Sequence, residues 1–133
     1  LGVLGLGYTA ATRLTLHAEW HYNGQALAAA DWAALQGAAY GRYRQAAQQA
    51  ALAPTRQQWF LHADWQDFLR PGLVATAMLR HDRMDDSRFF STGLRWQGDR
   101  LALGVNAERG LGRPGSHYGG QALRWQLFSN FYY

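Results

Sequence analysis

The chain has 133 residues, of which 48% are hydrophobic, 14% aromatic and 17% charged, with a formal net charge of +4. That composition excludes a disordered chain. The mean hydropathy of −0.35, with no run near the roughly 20 apolar residues of a spanning helix, excludes a helical membrane protein. The absence of cysteine excludes disulfide scaffolds and thiolate metal sites. All thirteen basic residues are arginine and lie scattered along the chain, so no nucleic-acid partner is expected. The sequence starts at Leu1 with neither Met nor a signal peptide and reads as a mature segment or a fragment.

Alternation of apolar and polar residues, the signature of a strand, recurs from end to end. Val3 to Thr9 sets Leu4, Leu6 and Tyr8 against Gly5 and Gly7, and Ala10 to Thr12 then turns the chain. Arg13 to Asn23 puts Leu14, Leu16, Ala18, Trp20 and Tyr22 on one face and Thr15, His17, Glu19 and His21 on the other. Gly24 to Thr55 is a long insertion rich in alanine and glutamine and stopped by Pro54, a composition that predicts partial helix. Gln58 to Gln66 opposes Trp59, Leu61, Ala63 and Trp65 to Phe60, His62, Asp64 and Gln66. A tight turn over Asp67 to Gly72 leads to Leu73 to Asp82, where Leu73, Ala75, Ala77 and Leu79 face away from Thr76, Met78, Arg80 and Asp82. After a polar turn around Met84 to Ser87, Phe90, Thr92, Leu94 and Trp96 oppose Phe89, Ser91, Gly93 and Arg95. Gln97 to Arg100 turns, and Leu101, Leu103, Val105 and Ala107 oppose Ala102, Gly104, Asn106 and Glu108. A glycine-rich loop from Gly110 to Gly120 precedes the last strand, with Leu123, Trp125, Leu127, Phe131 and Tyr133 against Arg124, Gln126, Phe128, Asn130 and Tyr132.

Seven such strands predict an all-β fold, an antiparallel transmembrane β-barrel segment over residues 1–133 with residues 24–55 as a long extracellular or lumen-folded loop. Short turns on one side and long loops on the other are how outer-membrane barrels are built. The outward aromatics form two belts: Tyr8, Trp65, Trp96 and Tyr133 at the short-turn ends, and Trp20, Tyr22, Trp59, Phe90 and Trp125 near the long-loop ends. Amphipathic rings prefer both interfaces of a bilayer. Alternation fits a soluble barrel or sandwich as well, which would place Trp20, Trp59 and Trp96 in its core.

The ending LRWQLFSNFYY, residues 123–133, resembles the C-terminal strand of Gram-negative outer-membrane β-barrel proteins, and LTLHAEWHYNG, residues 14–24, resembles strands of porin-like members. Tyr133 stands where phenylalanine is more usual, and Ser129 interrupts the apolar row. The resemblance implies an integral outer-membrane location and a channel or transport function. It also implies an assembly signal in Trp125, Leu127, Phe131 and Tyr133 that the barrel-assembly machinery reads. With the C-terminus on the periplasmic side, seven strands start the chain outside the cell. A complete bacterial barrel has an even number with both termini periplasmic, so the segment reads as the C-terminal part of a larger barrel that lacks at least one strand, or else as a barrel that closes at eight.

On this reading the lumen is lined by His17, Glu19, His21, His62, Asp64, Arg80, Asp82, Arg95, Glu108 and Arg124. Three arginines and four acids give it a net charge of −1, too near zero to assign ion selectivity. His17, Glu19 and His21 span about 13 Å along one strand, so not all three reach one ion, and neither a metal nor another cofactor is expected. Trp32, Tyr40, Arg42, Tyr43 and Arg44 are constriction-loop candidates in the insertion, or parts of an external cap. The Gly110–Gly120 loop reads as solvated and flexible, with Arg109 and Arg113 as candidate contacts for lipopolysaccharide phosphates. The expected function is a porin-like channel for passive diffusion of small polar solutes, with no catalytic residue. Its partners are outer-membrane lipid and lipopolysaccharide, and a homo-oligomer is compatible with it. The alternatives are a barrel enzyme of the lipid-hydrolase type, for which His81, Asp82 and Ser87 are the local candidates, and a soluble ligand-binding β-barrel.

Overall fold

The computed structural model describes residues 1–35, 38–50 and 54–132. Its strands are β1 (Gly2–Thr9), β2 (Leu14–Tyr22), β3 (Gln57–Trp65), β4 (Leu73–Asp82), β5 (Arg88–Gln97), β6 (Leu101–Leu111) and β7 (Arg124–Phe131). Two helices, α1 (Ala29–Ala34) and α2 (Ala38–Gln49), occupy the insertion between β2 and β3, as its alanine-rich composition predicts. The seven strands form one antiparallel sheet in sequence order, β1 to β7. The sheet is open. β1 and β7 are its edges, and because the strand number is odd they run in the same direction.

Register carries each face across all strands. One row reads His17, His62, Met78, Ser91, Glu108 and Arg124; the next toward the long loops reads Glu19, Phe60, Arg80, Phe89 and Gly110. On the opposite face Leu16, Ala63, Ala77, Thr92, Ala107 and Trp125 share one row. A slip of one residue would exchange the two faces of a strand, so the alternation itself specifies this pairing.

The short-turn end is held by local bonds. Arg13 pairs with Asp67, the Asp67 carboxylate accepts from the Gly72 N–H at 2.8 Å, and Trp65 Nε1 donates to the Thr12 carbonyl at 3.1 Å. Gly72 lies at φ +78°, the left-handed region, and a Cβ there would sit 2.6 Å from the Gln97 carbonyl oxygen.

Among the described residues no layer packs on the apolar face. Leu4, Leu6 and Leu127 are 73%, 77% and 81% exposed. Of the large hydrophobic strand residues left exposed, only Val3 lies on the other face. Burial concentrates instead at the long-loop end, in Asn23, Ala26, Trp32, Thr55, Asp82, Ser87, Ser116, His117 and Tyr118. The Gly110–Gly120 loop is solvated only in part: residues 111–115 and 120 are exposed, as its glycine content predicts, whereas Ser116, His117 and Tyr118 are buried and dock it.

Candidate functional site

Charge and aromatic groups line the polar face in a connected band. The alternate parity of β2 and β3 brings the His17 and His62 rings to 6.3 Å, and Phe60 lies parallel to His62 at 6.2 Å. The Arg80 guanidinium carbon stands 5.6 Å from the Phe60 ring centre, and Glu19 pairs with His21 at 2.7 Å. The ten lumen candidates all belong to this face by register. Asp82 differs from the rest in being fully buried. Its Oδ1 accepts from the Met84 N–H at 2.7 Å, while the neighbouring Thr55 and Ser87 are buried with it, so it faces the loops and not open solvent. Among the described residues no group of three His, Asp or Glu side chains could hold a metal ion.

Two depressions divide the band. One, of about 310 Å³, is lined by Glu19, His21, Pro54, Gln58, Phe60, Arg80, His117 and Tyr118. The other, of about 420 Å³ and nearer the short turns, includes Asp64, Thr76, Arg95, Asn106 and Phe128. Phe128 lies over Gly104, where a Cβ would run into its ring. Glycine is required there because the ring takes the place of its side chain.

The β6–β7 loop reaches the first depression because the β4–β5 turn holds it. The Asp85 carboxylate accepts from the Ser87 hydroxyl at 2.5 Å through one oxygen and from the His117 backbone N–H at 2.5 Å through the other. The Ser87 hydroxyl in turn accepts from the Tyr118 N–H at 3.2 Å. Tyr118 then packs against Phe89, with ring centres 5.8 Å apart. Its carbonyl lies against Gly110, where any Cβ would collide with it. The loop thus crosses the polar face at the row Glu19, Phe60, Arg80, Phe89 and Gly110. Burial, reinforced by Arg44 and Arg80, pushes the His117 imidazole down to about 4, against an opposing pull from Asp85. Its Nδ1 is buried without a hydrogen-bond partner among the described residues. Burial likewise raises the Tyr118 phenol.

The insertion closes over the same end. Trp32 is buried, with Tyr40 and Tyr43 meeting it edge-on at 5.5 and 5.9 Å. The Tyr43 hydroxyl donates to the Pro54 carbonyl at 2.7 Å and accepts from the Leu27 N–H at 3.3 Å. Arg44 leans over Tyr40 at 5.6 Å, whose phenol is raised by burial. Arg42 is exposed. The candidates Trp32, Tyr40 and Tyr43 therefore form a small aromatic core, and the Arg44 charge disfavours protonation of His117.

His81 and Ser87 are not partners. The His81 ring belongs to the apolar face and pairs with Asp86 at 2.7 Å, whereas Ser87 is fully buried and bonded to Asp85. Of the residues expected to form an assembly signal, Trp125, Leu127 and Phe131 stand exposed on the apolar face of β7, and Tyr133 lies outside the described residues. The loop latch of Asp85, Ser87, His117 and Tyr118 is the part that residue patterns missed. Its only local trace is an acid two residues before a serine, the spacing of an Asx-type turn. No protein-family model, curated protein or solved structure matches the chain.

Proposed function

We propose that this sheet is part of an outer-membrane β-barrel whose polar face lines a water-filled passage for small polar solutes. The observation that carries the reading is the contrast between faces. One is apolar, unpacked and bordered by aromatics at both strand ends; the other holds most of the strand charges and receives the loops. Water does not tolerate so large a bare apolar surface on a folded chain, whereas acyl chains solvate it. Same-direction edges further favour a larger structure, since an antiparallel barrel closes only through an added strand running the other way.

Passage is by diffusion. Solutes pass the depression that His117 and Tyr118 share with Phe60 and Arg80, and mixed charge along the wall favours polar over apolar solutes. No covalent step belongs to this scheme. The buried, carboxylate-bonded Ser87 gives the hydrolase alternative no support.

Single-channel recording of the whole protein in a planar bilayer tests the passage, and tryptophan quenching by brominated lipids tests the membrane face. The expected results are discrete ohmic steps, and quenching of Trp59 and Trp125. Quenching without conductance would replace the channel by a plugged or structural barrel. Absence of both would overturn the whole reading.

A further inference from the structure

Charged side chains on a face built mainly from Leu, Ala, Val and aromatic residues require a cause, because arginine facing acyl chains is costly except near the interface. Among the described strand residues, the apolar face carries three basic side chains: His81, Arg88 and Arg109. All three fall at the long-loop ends of adjacent strands. His81 is opposite Arg88 and Phe90 is opposite Arg109, which makes the two arginines diagonal neighbours about 7–8 Å apart at Cα. Asp86 in the turn bonds His81 at 2.7 Å and reaches Arg88 only at 3.7 Å. Arg109 is exposed and has no acidic partner among the described residues.

Directly toward the sheet centre from this corner runs a shallow apolar groove of about 540 Å³, whose lining includes Leu16, Ala18, Ala63, Ala77, Leu79 and Phe90. Its floor is low because alanines from three neighbouring strands meet there. The register row Leu61, Leu79, Phe90 and Arg109 leads from the groove to the guanidinium. The corner therefore offers two forked cations above an alkyl-wide trough.

We propose that this corner binds a phosphate-bearing lipid of the surrounding leaflet, with the phosphate between Arg88 and Arg109 and an acyl chain in the alanine-floored groove. Guanidinium groups match phosphate oxygens in paired hydrogen bonds, and the apolar trough distinguishes a lipid from a free anion. The site rests on the membrane reading given above.

The test folds the whole protein into phosphatidylcholine bilayers containing diphosphoryl lipid A, transfers it to micelles and weighs the retained lipid by native mass spectrometry. Lipid A is expected to remain bound, and the Arg88→Gln/Arg109→Gln double variant to lose at least about tenfold of it. The corresponding Lys pair is expected to retain an intermediate amount, and Arg100→Gln, at the opposite end of the sheet, the full amount. Excess inorganic phosphate is expected not to displace the lipid. Displacement by phosphate would reduce the corner to an anion site, and equal retention by the double Gln variant would remove the site; either overturns the proposal. Brominated-lipid quenching in the same bilayers separates the two levels. Quenching without retained lipid A sinks the lipid site alone, while absence of quenching sinks the membrane reading and the site with it.

Discussion

The carboxylate of Asp85 and the backbone N–H of His117 lie 2.5 Å apart although 32 residues separate them in the sequence. Through that bond a turn between β4 and β5 holds the loop between β6 and β7 across the polar face. Hydrogen bonds to a charged acceptor contribute about 1.5–3 kcal/mol each when the partner would otherwise lose its only contact. Removing Asp85 therefore acts on the loop and not on the sheet.

Asp85→Ala is expected to free residues 113–120 while leaving the strands paired. Amide exchange should rise in that loop only, and chymotrypsin should cut after the freed Tyr118. Gly110→Val should reach the same state by a different route, since its side chain would meet the Tyr118 carbonyl. If both block the same docking, the double variant shows little more exchange than either single one. Additive effects would show that the two act on separate structures.

Acid should undock the same loop. His117 is held near 4 when docked, against an ordinary value of about 6.5. Above pH 6.5 both docked and free loops carry a neutral imidazole, so docking is independent of this group. Between 6.5 and 4 the free loop takes up a proton that the docked loop refuses, and docking weakens by up to tenfold for each pH unit. Arg44 and Arg80 disfavour the protonated ring and Asp85 favours it. Loop amide exchange, corrected for its intrinsic pH dependence, should show this loss in the native chain and not in His117→Phe.

Leu61 and Met78 test the two faces. Leu61 is exposed midway along the apolar face of β3, and Met78 lies on the polar face of β4. On the membrane reading, Leu61→Arg costs about 2–4 kcal/mol near the bilayer midplane, while Met78→Arg is tolerated. Folding yield in lipid vesicles measures both. Equal yields would remove the distinction between the faces.

Phe128→Ala is expected to loosen β7 from β6. The ring covers Gly104, which has no side chain of its own to pack, and cross-strand pairs of this kind contribute about 0.2–1 kcal/mol. Exchange at the amides that β7 shares with β6 should rise, while those between β3 and β4 stay protected. Restoring a side chain with Gly104→Ala in the Phe128→Ala background should recover part of the loss.

The strands and the two faces were legible in the residues because alternation is a local property. Leu14 to Tyr22 needs no distant partner to set leucine and tryptophan against histidine and glutamate, and the observed strand differs from the predicted one only at its ends. The helical insertion was legible for the same reason, its alanine content acting residue by residue. The docked loop was not. Ser116, His117 and Tyr118 have no period, and glycine neighbours read as freedom until Asp85 and Ser87 are brought beside them. Nor does any local pattern place Glu19, Phe60 and Arg80 in one row, or His81, Arg88 and Arg109 at one corner. Those groupings depend on register between strands that are tens of residues apart. Pairing chooses register by summing small contacts along whole strands. Local alternation thus set which residues could share a face, and pairing between distant strands chose which of them meet.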